Sequence, residues 1–160
     1  MENQNPAQKF KMLNIIYLAL MGNMVVVGIM FYFLKQNPVK PDQSLDATSL
    51  QPVFQMLVPV SFLIAVVASR FLFTNLIKMA KKKSILTEKI QAYFSATIIK
   101  VALVEMAGIL GAVAFFLTGN LFFMAGLAFS VVFLYLERPT LTKITEHLAL
   151  NVEEKNLLES

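Results

Sequence analysis

Polar and apolar positions along this chain do not alternate at strand or helix-face spacing but separate into long blocks. Four apolar blocks, at residues 12–34, 53–77 (interrupted by Arg70), 98–117 and 121–136, approach or exceed the roughly 20 residues needed to cross hydrocarbon as a helix. The pattern predicts an all-α, polytopic membrane protein. Residues 1–137 would form a four-helix transmembrane domain, and residues 138–160 a short amphipathic cytoplasmic tail. The first block is too long for a signal-peptide core, and Lys35-Gln36-Asn37-Pro38 lacks a small-x-small cleavage pattern, so it is expected to stay as a membrane helix.

The connections differ in kind. Residues 36–49 are polar and carry Pro38 and Pro41, which predicts an irregular outer loop. Thr118-Gly119-Asn120 leaves only a turn, so helices three and four must lie antiparallel and in contact. The 74–97 connection is long enough for helix two to continue past the membrane and helix three to start early. There Ile85, Ile90 and Phe94 suit an apolar stripe near the headgroups. In the tail, Pro139 should either end helix four or fall near the start of a new helix, with Thr140 as the candidate cap of a short helix whose Leu141, Ile144 and Leu148 share a face. Asn151-Val152-Glu153-Glu154 reads as a capping box for a last turn.

Composition agrees with the blocks. Of 160 residues 57% are hydrophobic, and the mean hydropathy of +0.65 is too high for a soluble domain of this size. The chain has no cysteine, which excludes disulfides, thiolate metal sites and cysteine nucleophiles. Its formal charge is +4, but the basic residues cluster beside the blocks, a topology signal rather than a nucleic-acid face. Only Lys35 and Lys40 fall in the first connection. Lys9, Lys11, the Lys78–Lys89 group and the tail cations lie on the other side. This bias predicts both termini and the lysine-rich loop in the cytoplasm, with residues 35–51 outside. The Lys81-Lys82-Lys83 run is a topology anchor that also suits anionic lipid headgroups.

Chemistry concentrates on one residue. Glu105 sits near the middle of block three, where a carboxylate costs several kcal/mol unless protonated or paired. Arg70, Lys100 and Asn23 are its candidate polar partners. Three readings are open: Glu105 is an interhelical clamp, it binds and releases a proton or sodium ion, or it has a lipid-linked role. Around it, Gly108, Gly111 and Ala112 on helix three face the small residues of helix four, Gly126 among them, as close-packing positions. Pro59 is expected to loosen the outer half of helix two. His147, the one histidine, is expected to be solvated. No metal-ligand spacing, phosphate-cradling loop or nucleophile elbow occurs, so neither a cofactor nor catalysis is expected.

The stretch from Val104-Glu105-Met106-Ala107-Gly108 to Phe115 resembles the ion-carrying helix of rotary-ATPase proteolipid ring subunits. That resemblance implies an ion-binding role for Glu105. The chain departs from the family: block two has no glycine ladder and holds Arg70, and helix four lacks an acid. Ile99 to Glu105, Phe116 to Asn120 and Arg138-Pro139-Thr140 are similar to small four-helix membrane proteins of Bacteroidota-type bacteria, a resemblance that implies fold and location without an activity. The expectation is a non-enzymatic accessory or structural subunit, whose partners are the bilayer and another membrane protein or a second copy. Proton or sodium handling through Glu105 is the alternative.

Overall fold

Long helices follow directly from the apolar blocks, because a backbone in hydrocarbon must satisfy its hydrogen bonds internally. The computed structural model describes residues 6–36 and 47–159. It is all-helical, with α1 over Pro6–Gln36, α2 over Ala47–Lys81, α3 over Leu86–Thr118, a 3-10 turn over Leu121–Phe123, α4 over Met124–Leu136, α5 over Leu141–Leu148 and α6 over Val152–Glu159. Three to four of these are long and apolar enough to cross a membrane: α1, α2 and α3, and the 121–136 segment where it continues into α5 through a 75° bend. Most of the irregular outer loop expected at 36–49 lies outside the described residues. Its last part, from Ala47, already belongs to α2.

α3 is the hub and packs against α1, α2 and α4. Its hairpin with α4 turns at Gly119, whose φ of 74° lies in the left-handed region and whose N–H donates to the Phe115 carbonyl. Asn120 then caps the 3-10 turn through its side chain. From this pivot the two helices run in a fixed register. A Cβ on Gly111 would stand 2.7 Å from the Phe123 carbonyl oxygen, and one on Gly126 would stand 4.0 Å from the Gly111 Cα. A Cβ on Gly108 would meet the Ser130 hydroxyl at 2.8 Å, and Ala112 is fully buried. Backbones approach this closely only where side chains are absent.

Two cores result. One lies along α1, α3 and α4 and contains Tyr17, Met24, Val104, Ala112, Leu127 and Leu134. The other gathers Leu13, Ile77, Ala80, Ile90, Tyr93, Ile144, Leu148 and Leu158 at the lysine-rich end, where α5 and α6 cover the helix ends. Ile90 is therefore a core residue and Phe94 packs against the same cluster. Only Ile85 of the expected headgroup stripe is well exposed. α2 runs through Pro52 and Pro59 as one helix. Large apolar residues stay exposed along α1 from Met12 to Leu34, along α2 from Val53 to Leu72, and along the 121–136 segment. Such a belt is the surface a bilayer covers.

Candidate functional site

A layer of charge marks one edge of that belt. Lys100 stands nineteen residues before Gly119 and Glu137 eighteen after it, so the hairpin brings them opposite each other. The Lys100 Nζ donates to Glu137 Oε2 at 2.5 Å, and the Arg70 Nη2 reaches Glu137 Oε1 at 3.5 Å. The Lys100 ammonium also stands 4.8 Å above the Phe73 ring, and the Arg70 guanidinium 5.7 Å from the Phe133 ring. The Tyr17 hydroxyl donates to the Leu134 carbonyl at 2.6 Å, which ties α1 into the same layer. Measured from this layer, Tyr17 to Lys35 and Lys100 to Thr118 are each about 27 Å of helix, and Arg70 to Leu50 about 30 Å. Those lengths match the roughly 30 Å of bilayer hydrocarbon.

Glu105 lies one and a half turns inside the layer, half-buried on α3. Its partner is Asn23 of α1, whose Nδ2 donates to Glu105 Oε1 at 3.0 Å. The expected pairing of Glu105 with Arg70 or Lys100 is corrected: both cations bond Glu137. Five residues from Glu105, Lys100 projects from a different face of α3 and finds its acid on α4. Asn23 is exposed, and a Cβ added to the adjacent Gly22 meets nothing within 4 Å. The amide–carboxylate pair thus opens onto the outer surface of the α1/α3 interface, at hydrocarbon depth and beside a notch in α1.

Past the layer, the tail is fastened by named contacts. Thr140 caps α5 by accepting from the Lys143 N–H. Asn151 and Glu154 form a reciprocal capping box, with Glu154 N–H to Asn151 Oδ1 at 2.7 Å and Asn151 N–H to Glu154 Oε2 at 3.0 Å. Lys89 of α3 donates to the other Glu154 oxygen at 2.7 Å. That hydrogen bond holds the Glu154 carboxyl below its ordinary range. His147 is not simply solvated. Its ring packs 5.3 Å from Phe73 and 6.1 Å from Tyr93, and its Nδ1 is buried without a hydrogen-bond partner. Burial first, then the nearby Lys100 charge, pushes its imidazole below the usual range. Lys81, Lys82 and Lys83 are exposed at the end of α2.

Glu137 is the residue that inspection of the sequence passes over. Its signal lies in the turn at Gly119: folding the chain there sets 100 against 137, and likewise 111 against 126 and 108 against 130. Among the described residues, no group of three or more His, Asp or Glu side chains is placed to hold a metal ion. Comparison with protein-family models, curated proteins and solved structures finds no match to this chain.

Proposed function

We propose that the chain is a non-enzymatic, four-span protein of the bacterial inner membrane, with both termini and the α5–α6 tail on the cytoplasmic side. It serves as an accessory subunit that receives a partner transmembrane helix on its α1/α3 face. The observation that carries this reading is the Asn23–Glu105 pair on the outer surface beside Gly22. A carboxylate facing lipid with a single amide donor is poorly compensated. A neighbouring helix that supplies a hydrogen-bond donor or a basic side chain would cover it, and the Gly22 notch allows close backbone approach. Charge complementarity therefore favours a partner helix with a polar or basic residue at mid-membrane.

The cysteine-free sequence makes the test clean. A photo-crosslinker on Gly22→Cys in native membranes should give one protein adduct of defined mass, and Leu63→Cys on the lipid-facing side of α2 should give none. The adduct should be lost in the Glu105→Leu background. Lipid adducts alone at both positions would sink the proposal, and an adduct of twice the chain mass would identify the partner as a second copy.

A second reading rests on the same half-exposed carboxylate. With an amide rather than a cation as its partner, Glu105 suits proton or sodium exchange with the hydrocarbon surface, in keeping with the proteolipid resemblance. The two readings differ in whether Glu105 is covered in the native membrane, which carbodiimide reactivity reports.

A further inference from the structure

Beyond the charged layer, α2 and α5 enclose a cleft of about 280 Å³, lined by Phe73, Thr74, Ile77, Lys78, Lys81, Glu146 and His147. Its size falls just below the roughly 300–1,000 Å³ typical of small-molecule pockets. Thr74, Lys78 and Lys81 follow one another at four- and three-residue spacing, so they share one face of α2. Counted from Arg70, they lie about 6, 12 and 16 Å past the layer along the helix, which places the cleft in the headgroup zone and the water beside it. Phe73 and Ile77 make part of the wall apolar, and Lys78 and Lys81 make the mouth cationic.

Of the ammonium groups at the lysine-rich end that no acid among the described residues holds, Lys82 included, only those of Lys78 and Lys81 line the cleft. Lys83 pairs with Glu88, Lys89 with Glu154, and Lys100 with Glu137. Among the described residues, Lys78 and Lys81 have no acid within ion-pair distance, and the one carboxylate of the cleft, Glu146, bonds neither. His147 completes the set. Its buried Nδ1 has no partner while its other ring nitrogen remains reachable, and an unpaired lone pair is better tolerated in burial than an unpaired N–H. With its proton on Nε2, the neutral ring would leave Nδ1 as the unpaired acceptor and offer a donor to the cleft that it lines with the two lysines.

We propose that this α2/α5 cleft binds the phosphate of an anionic phospholipid headgroup. Lys78 and Lys81 supply the charge, His147 supplies a neutral donor, and the glycerol and upper acyl carbons rest on Phe73 and Ile77. The depth of the cleft and its apolar wall favour a lipid over a soluble phosphate. The site is independent of any partner at Glu105.

Native mass spectrometry of the purified full chain, titrated with phosphatidylglycerol and with phosphatidylcholine as comparator, tests this. The wild type should retain phosphatidylglycerol selectively. Lys78→Gln with Lys81→Gln should weaken retention by about 10- to 25-fold, near fivefold for each lysine at the membrane surface. Lys82→Gln with Lys83→Gln removes the same charge outside the cleft and should change retention less than about twofold. His147→Phe keeps the ring packing and should weaken it by about threefold, the loss of one neutral hydrogen bond. Equal losses in the two lysine pairs would reduce the site to a diffuse basic patch and overturn the proposal. Displacement of the lipid by inorganic phosphate at equal concentration would reassign the cleft to a soluble anion and overturn it as well.

Discussion

Lys100 and Glu137, separated by thirty-seven positions in the chain, meet across the α3/α4 hairpin at 2.5 Å, with Lys100 almost entirely buried and Glu137 partly so. This ion pair fixes hairpin register and, in the proposed membrane placement, lies where the hydrocarbon ends. Breaking it from one side strands a buried ammonium. Glu137→Gln should lower stability by about 2–3 kcal/mol, below the 3–5 of a fully buried pair because Glu137 retains some solvent. Arg70→Ala should cost less than about 1 kcal/mol, since Arg70 is 63% exposed. Lys100→Met combined with Glu137→Leu should recover most of the loss. Thermal unfolding in a fixed detergent reads all three.

Gly111 and Gly22 predict opposite responses to an added methyl group. Gly111→Ala presses a Cβ onto the Phe123 carbonyl oxygen at 2.7 Å and must move α3 away from α4. A loss of about 1–3 kcal/mol is expected from such overpacking. Gly22→Ala meets open space inside α1, so the isolated protein should melt no lower, with a gain of up to about 1 kcal/mol from helix propensity, while association with a partner helix weakens.

Docking of the tail should depend on pH. Glu154 titrates below its ordinary value in the folded chain, held there by Lys89. His147 also titrates below its ordinary value, held there by burial. In both cases the folded form binds fewer protons than the unfolded one, so the contribution is present above the unfolded value and lost as pH falls. Loss should begin below about 6.5 through His147 and grow below about 4.5 through Glu154. The protection factors of residues 141–158, taken relative to the intrinsic exchange rate at each pH, should therefore fall on acidification, while those of residues 104–115 stay high. Glu154→Gln should reproduce part of the acid effect at neutral pH.

The proposed topology puts the α2/α3 connection and the Gly119 turn on opposite sides of the membrane. A thiol at Ser84, between α2 and α3, should react with an impermeant maleimide only when the cytoplasmic side is opened. A thiol at Asn120 should react from outside in intact cells. Both reacting from the same side would mean an even number of crossings between them and would break the four-span reading, in which α3 alone separates them.

Much of the fold is legible in residue order because membrane helices are written as uninterrupted apolar length, and the turns and caps use local chemistry. Gly119, the Thr140 cap and the Asn151–Glu154 box each occupy the role their sequence suggests. Long-range pairing is less visible. Glu105 stands out by its depth, yet Arg70 and Lys100 turn to Glu137, an acid that reads as an ordinary helix end beside Arg138 and Pro139. Register about Gly119 would have found it. His147 is hidden for a different reason: α5 bends 75° from α4 and lays the ring on Phe73 and Tyr93, a packing that no local pattern encodes.

Reactivity of Glu105 toward a hydrophobic carbodiimide, in native membranes and again after purification, tests the central claim most directly. A carboxylate covered by a partner helix should resist labelling in the native membrane and become reactive once the chain is isolated, with no effect of sodium. Labelling in native membranes that falls as pH rises, or that sodium blocks, would contradict the docking account and establish Glu105 as an ion-exchanging site.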